Sequence, residues 1–105
     1  MKEKVTVCEV GPRDGLQIAK TMMATQAKVN WIAAMAAAGV STIEVGSFVP
    51  PKLIPQMADT AAVVKASLAL PGLTVEALVP NLRGAQDAYA AGTHGVGIPR
   101  TFRLT

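Results

Sequence analysis

The feature that most constrains this chain is a strand–loop–helix unit that repeats along it. Val5 to Val10 is a β-rich run closed by Gly11-Pro12. Thr42 to Val45 is a second, closed by Gly46, and Thr74 to Val79 a third, closed by Pro80. Helical stretches lie between them. The first is expected from about Gln26 to Ala38, with Thr25 as its N-cap and Gly39 as the residue just past its end. Its apolar positions Val29, Ile32, Ala33 and Ala36 fall on one helical face. A second helix is expected to begin near Asp59 and stop before Pro71-Gly72. A third should follow Asn81, a good N-cap, and run to Ala91 before Gly92. Successive βα units predict a parallel sheet with right-handed crossovers. The strands start 37 and then 32 residues apart, a spacing that fits a (β/α) barrel and a doubly wound sheet equally well.

Composition agrees with that class. Half of the 105 residues are apolar, mostly Ala, Val, Leu and Ile, and aromatics make up only 4%. Parallel strands and Ala-rich helices use such a mixture. The formal charge of +3 does not mark a nucleic-acid binder. Arg100 and Arg103 lie in the last six residues, and without them the charge is +1. The other basic residues are scattered singly, without aromatic stacking partners. Cys8 is the single cysteine, so neither a disulfide framework nor a cysteine-based metal site is available. Met1 to Val10 lacks the apolar stretch of a signal peptide, and no apolar run approaches the ~20 residues of a membrane span. The expected location is cytoplasmic, with an upstream organellar transit peptide left open and no membrane partner.

In α/β architectures, functional residues gather in the loops beyond the C-terminal ends of the strands. Here those loops are Gly11 to Gln17, Gly46 to Gln56, and Pro80-Asn81. The first packs a cation, a carboxylate and an amide just past a buried strand. Asp14 can bind a hard divalent cation through oxygen, and Arg13 can stabilise negative charge developing on a carbonyl. The same residues also read as an ordinary turn, because Asp-Gly is a common turn dipeptide. Glu44 interrupts a run that a parallel strand should keep apolar. It either points inward to pair with Arg13 or sits solvated at a wet strand end, and Glu76 carries the same ambiguity. His94, the lone histidine, reads as a solvated or dipole-facing side chain rather than a ligand.

The string Glu9-Val10-Gly11-Pro12-Arg13-Asp14-Gly15-Leu16-Gln17 closely resembles the opening signature of hydroxymethylglutaryl-CoA lyases. The block from Ile43 to Asp59, with Ser47-Phe48-Val49 and Pro55-Gln56-Met57-Ala58-Asp59, resembles that family's second-strand segment. Pro80-Asn81-Leu82-Arg83-Gly84 matches its third strand end. The matches run in order from about Val5 to Gly92. Arg-Asp-Gly followed by Gln is shared with isopropylmalate and homocitrate synthases, whereas the second block points to the lyase branch. The resemblance implies the N-terminal portion of a (β/α)8 barrel, about three to four βα units of it. It implies cleavage of 3-hydroxy-3-methylglutaryl-CoA to acetyl-CoA and acetoacetate, a step of leucine degradation, with Mg2+ or Mn2+. Carried over, Asp14 would be a metal ligand, and Arg13 would hold and polarise the substrate carbonyl. Glu44 would support Arg13 in catalysis, while Gln17 and Ser47 would line the substrate site. The expected partners are an acyl-CoA substrate and, for an intact family member, further copies of itself.

After Gly92 the likeness weakens. Val96 and Ile98 begin a strand, Pro99 removes a ladder donor, and the charged stretch to Thr105 does not resemble the family. Residues 1–92 are therefore expected to be the barrel portion and 93–105 a divergent tail, from a truncated or frame-shifted gene. The family's His pair, its Asn and its loop Cys would lie beyond Thr105, so activity of this chain alone is doubtful. The alternatives are a non-catalytic remnant or interaction fragment, and a related Claisen-type acyl-CoA synthase.

Overall fold

The computed structural model describes residues 5–99. Its centre is a four-stranded sheet in the order β1 (Cys8–Glu9), β2 (Thr42–Ser47), β3 (Thr74–Leu78), β4 (Gly95–Gly97). All three pairings are parallel. The crossovers are made by α1 (Thr25–Ala37), α2 (Thr60–Leu68) and α3 (Leu82–Ala91). Strands in sequential order, the first three each followed by a helix, form an arc of (β/α)8-barrel wall and rule out the doubly wound alternative.

The sheet has two unlike faces. Ile43, Val45 and Val75 pack with Ile32 of α1, Val63 and Val64 of α2, and Leu73 in one fully buried cluster. Each such side chain contributes about 1.5–3 kcal/mol on burial, so this layer holds the helices to the sheet. Alternation along a strand sends Thr42, Glu44 and Glu76 to the opposite face, the one that lines a barrel's interior. A register shift between Glu44 and Gly46 ends the regular alternation of β2. Gly46 then faces α2, where an added Cβ would sit 2.7 Å from the Thr60 side chain.

Helix ends follow local chemistry. The Asn81 side chain accepts a hydrogen bond from Gly84 N–H at 2.9 Å, capping α3 as expected, and Gly92 closes it at φ +88°. At the end of α1, Val40 N–H donates to Met35 and Gly39 N–H to Ala36, both at 3.1 Å, with Gly39 at φ +104°. That pair of bonds satisfies the last carbonyls and needs a left-handed residue at Gly39. The start of α1 departs from expectation. Ala24 occupies the N-cap position without a side-chain bond, and the Thr25 hydroxyl donates to Asp59 Oδ2 at 2.6 Å instead. A tertiary partner outcompetes the local cap.

β1 is shorter than the expected Val5–Val10 run. It pairs only through Cys8 and Glu9, while Val5 and Val7 are exposed on the sheet's outer edge. β4 lies within the stretch that the sequence set apart as a tail, and pairs Gly95, Val96 and Gly97 with Glu76, Ala77 and Leu78. The charged residues from Arg100 onward lie outside the described residues. No helix among the described residues is long and apolar enough to cross a membrane.

Candidate functional site

Beyond β1 the backbone winds into one wide helical turn over Gly11–Gly15. The Val10 carbonyl accepts from Arg13 N–H at 3.1 Å and from Asp14 N–H at 2.6 Å. Glu9 Oε1 accepts from Gly11 N–H at 2.8 Å, tying the turn back to the strand that launches it. Gly11 is required here by close approach, because a Cβ would meet both Glu9 Oε1 and the Trp31 ring at 2.9 Å. The turn packs against β2 and delivers Arg13 to the interior face of the sheet.

There Arg13 Nε donates to Glu44 Oε1. Its Nη1 donates to Asp14 Oδ1 at 3.1 Å. Exposure is graded across the three: 9% for the Glu44 side chain, 18% for Arg13 and 60% for Asp14. A nearly buried carboxylate thus holds a guanidinium whose other edge meets a solvent-facing carboxylate. Charge-assisted bonds of this kind fix a planar guanidinium in orientation. Two glycines of β4 leave space for the interior acids. A Cβ at Gly97 would lie 2.9 Å from Glu44 Oε2, and one at Gly95 3.2 Å from Glu76 Oε2. Cys8 completes this face, its thiol 3.9 Å from Glu76 Oε1. Burial pushes the thiol's pKa up, and the charges of Glu76 and Glu44 push it further the same way, so Cys8 is a protonated thiol and a poor nucleophile.

The remaining candidates are placed less centrally. Gln17 follows the turn with its Oε1 buried and without a hydrogen-bond partner among the described residues, and the fully buried Ser47 Oγ is in the same state. Buried polar atoms left unpaired are uncommon. Ser47 is held through its backbone: its N–H donates to Thr60 Oγ1 at 3.2 Å, and the Thr60 hydroxyl lies 3.0 Å from its carbonyl. It opens onto a cavity of about 600 Å³ with Phe48, Met57, Asn81 and Arg83, and that lining includes none of Arg13, Asp14, Gln17 or Glu44. His94 has a structural part, its Nδ1 accepting from Val75 N–H at 2.9 Å.

A fixed guanidinium can donate to a carbonyl oxygen and stabilise the negative charge developing on it. The described residues do not by themselves make a metal centre, because no three of their His, Cys, Asp and Glu side chains converge. A hard cation takes six or more ligands, and Asp14 offers one carboxylate.

The sequence reading missed a second polar cluster. Lys28 is almost fully buried and donates to Asp59 Oδ1 and to the Gln56 carbonyl, both at 2.6 Å. Its signal was present, since Lys28 stands one turn before Ile32 on the core-facing side of α1.

Comparison with known proteins supplies the context for this geometry. The family described as HMGL-like matches residues 4–101. The mitochondrial hydroxymethylglutaryl-CoA lyase of Macaca fascicularis is 47% identical over 98 residues, 93% of this chain and 30% of that protein. Hydroxymethylglutaryl-CoA lyase from Pseudomonas aeruginosa superposes with a TM-score of 0.84 at 45% identity, over 90% of this chain and 32% of that one. An HMG-CoA lyase from Acinetobacter baumannii, solved in complex with coenzyme A and 3-methylmalate, gives a TM-score of 0.81 at 38% identity, over 87% of this chain and 30% of that one. The chain therefore spans about a third of the length of the relatives it matches.

Proposed function

The chain belongs to the HMGL-like family, and from that premise we propose that it supplies the carbonyl-polarising part of a carbon–carbon lyase acting on 3-hydroxy-3-methylglutaryl-CoA. The observation that carries the reading is Arg13 locked between buried Glu44 and exposed Asp14. Cleavage of the substrate removes the 3-hydroxyl proton and breaks the C2–C3 bond. The bonding electrons pass into the thioester as an enolate, which takes up a proton to give acetyl-CoA and leaves acetoacetate. In this reading Arg13 donates to the oxygen on which that negative charge develops. Glu44 holds the guanidinium in place, so it need not reorganise during the reaction. Gln17, beside the turn with a buried oxygen lacking a partner among the described residues, is the polar group offered to the acyl-CoA near Arg13, and Ser47 would contribute from the neighbouring cavity.

A divalent cation, Mg2+ or Mn2+, supplies Lewis-acid polarisation when bound. Asp14 is its one ligand from these residues, and the rest of its shell comes from elsewhere. The test is a chimera in which residues 5–99 replace the matching third of the Pseudomonas aeruginosa lyase. It is expected to release acetoacetate from 3-hydroxy-3-methylglutaryl-CoA. Arg13→Met should lower its kcat by about 10²–10³ with a smaller change in KM, and Asp14→Ala should weaken Mn2+ binding measured by calorimetry. Near-normal turnover in the Arg13→Met chimera would end the assignment.

A further inference from the structure

Two segments carry or flank the candidate residues with little regular structure to hold them, the second having one 3-10 turn at Pro55–Met57. One is the stretch from Leu16 to Ala24 that follows the Arg13–Asp14 turn, and the other is the long connection from Phe48 to Asp59 that follows Ser47. Apolar packing fastens the first poorly, with Ile18 and Met22 79% and 65% exposed, and the second only at its ends, where Phe48 packs on the core and Met57 is buried while Leu53 is 74% exposed. Polar contacts tie the two together. Gln56 Nε2 donates to the Ala19 carbonyl at 2.7 Å, joining the two segments directly. Beneath them Lys28 Nζ binds the Gln56 carbonyl and Asp59 Oδ1, and the Thr25 hydroxyl takes the other oxygen of Asp59 at 2.6 Å. The next residue, Thr60, holds Ser47 by its backbone. A continuous chain of contacts thus runs from Ala19 through Gln56, Lys28 and Asp59 to Ser47.

An ammonium group this deeply buried is costly, and an apolar pair of similar volume often gives equal or better stability. The contacts around Lys28 do what an apolar pair cannot, because they fix the Gln56 carbonyl and the Asp59 carboxylate in position as well as filling space. We propose that Lys28 is a positioning residue, clamping the segment after the Arg13–Asp14 turn to the loop after Ser47 so that both sides of the site keep one relative geometry. The catalytic meaning of this clamp rests on the lyase reading above; the clamp itself does not.

The experiment separates positioning from bulk stability. Amide exchange, read by mass spectrometry on the 105-residue chain, is compared for wild type, Lys28→Met and the double variant Lys28→Met/Asp59→Leu. Lys28→Met leaves the half-buried Asp59 carboxylate with the Thr25 hydroxyl alone and should lower the melting temperature by ~5–10 °C. The double variant removes that charge and should recover most of the loss. In both variants, exchange in residues 17–24 and 52–59 should rise about tenfold or more while β2 and β3 stay protected. Wild-type protection of those segments in the double variant would overturn the clamp, and so would a wild-type chain that already exchanges freely there. In the chimera the double variant should lower kcat at least tenfold despite its recovered stability, and unchanged kcat would overturn the positioning role. A parent chimera that makes no acetoacetate counts against the lyase reading alone, since exchange still decides the clamp.

Discussion

Replacing Glu44 tests the central geometry, because its carboxylate is the buried half of the Arg13 pair. Breaking a fully buried ion pair by removing one partner costs about 3–5 kcal/mol, whereas an exposed pair is worth about 0–1 kcal/mol. With side-chain exposures of 9% and 18%, this pair lies nearer the buried limit. Arg13 also keeps Asp14 as a second partner, which softens the loss. Glu44→Ala should therefore destabilise the chain by about 2–4 kcal/mol, or roughly 10–30 °C in melting temperature at ~4–8 °C per kcal/mol. Glu44→Gln keeps an acceptor for Arg13 Nε but not the charge, and should lose about 1–2 kcal/mol. Arg13→Met/Glu44→Leu should cost less than the two single changes added together. Urea unfolding followed by Trp31 fluorescence is the assay, because that ring packs against the turn at Gly11. A coupling energy below ~0.5 kcal/mol, the size expected of independent sites, would refute the claim that Glu44 holds Arg13.

Gly46→Ala should cost about 1–3 kcal/mol in the same assay, since its methyl group would meet the Thr60 side chain that holds Ser47; a neutral result would mean α2 can shift freely. Gly97→Ala should weaken the Arg13–Glu44 coupling, because its methyl group would crowd Glu44 Oε2, and a double-mutant cycle repeated in that background reads the change. Cys8 should react with iodoacetamide at pH 8 more slowly than free cysteine, and equal rates would contradict the raised thiol pKa. The sign follows from the folded state keeping its proton: the stability Cys8 adds is full below the unfolded thiol's pKa, falls as pH rises above it, and is gone once pH has passed the higher folded value. The 105-residue chain assayed alone with Mg2+ or Mn2+ should release no acetoacetate, because it spans only about a third of the lyases it matches and Asp14 alone fills one place in a cation's shell.

What the sequence revealed and concealed divides along a physical line. Element order, the α3 cap at Asn81 and the turn at Gly39 were legible because each is settled within a few residues by periodicity, capping chemistry or the freedom of glycine. Glu44 was noticeable because a carboxylate breaks an apolar strand, yet only the fold tells whether it is paired or solvated. Thr25 was misjudged for the complementary reason. Locally it is a better N-cap than Ala24, but Asp59, 34 residues away, offers its hydroxyl a charged acceptor, and local propensity yields to that contact. The length of β1 was overestimated because Val5 and Val7 look like core residues until the edge strand is seen to have a single neighbour.

The same division accounts for where the chemistry lies. A parallel sheet normally buries apolar residues on both faces, and on its helix side this one does so with Ile43, Val45 and Val75. On the other side Glu44 and Glu76 stand side by side in register, and the β4 positions against them are Gly95 and Gly97. Two neighbouring carboxylates repel one another, and fold stability alone gives no reason to keep them. Glu44 is compensated by Arg13, which reaches it only because the wide turn at Gly11–Gly15 carries the guanidinium back over the end of β2. The turn, the acid and the glycine that makes room for it come from three different βα units. Their fit to one another is what supports the proposed site on the interior face, and a scan along any one segment could not detect it.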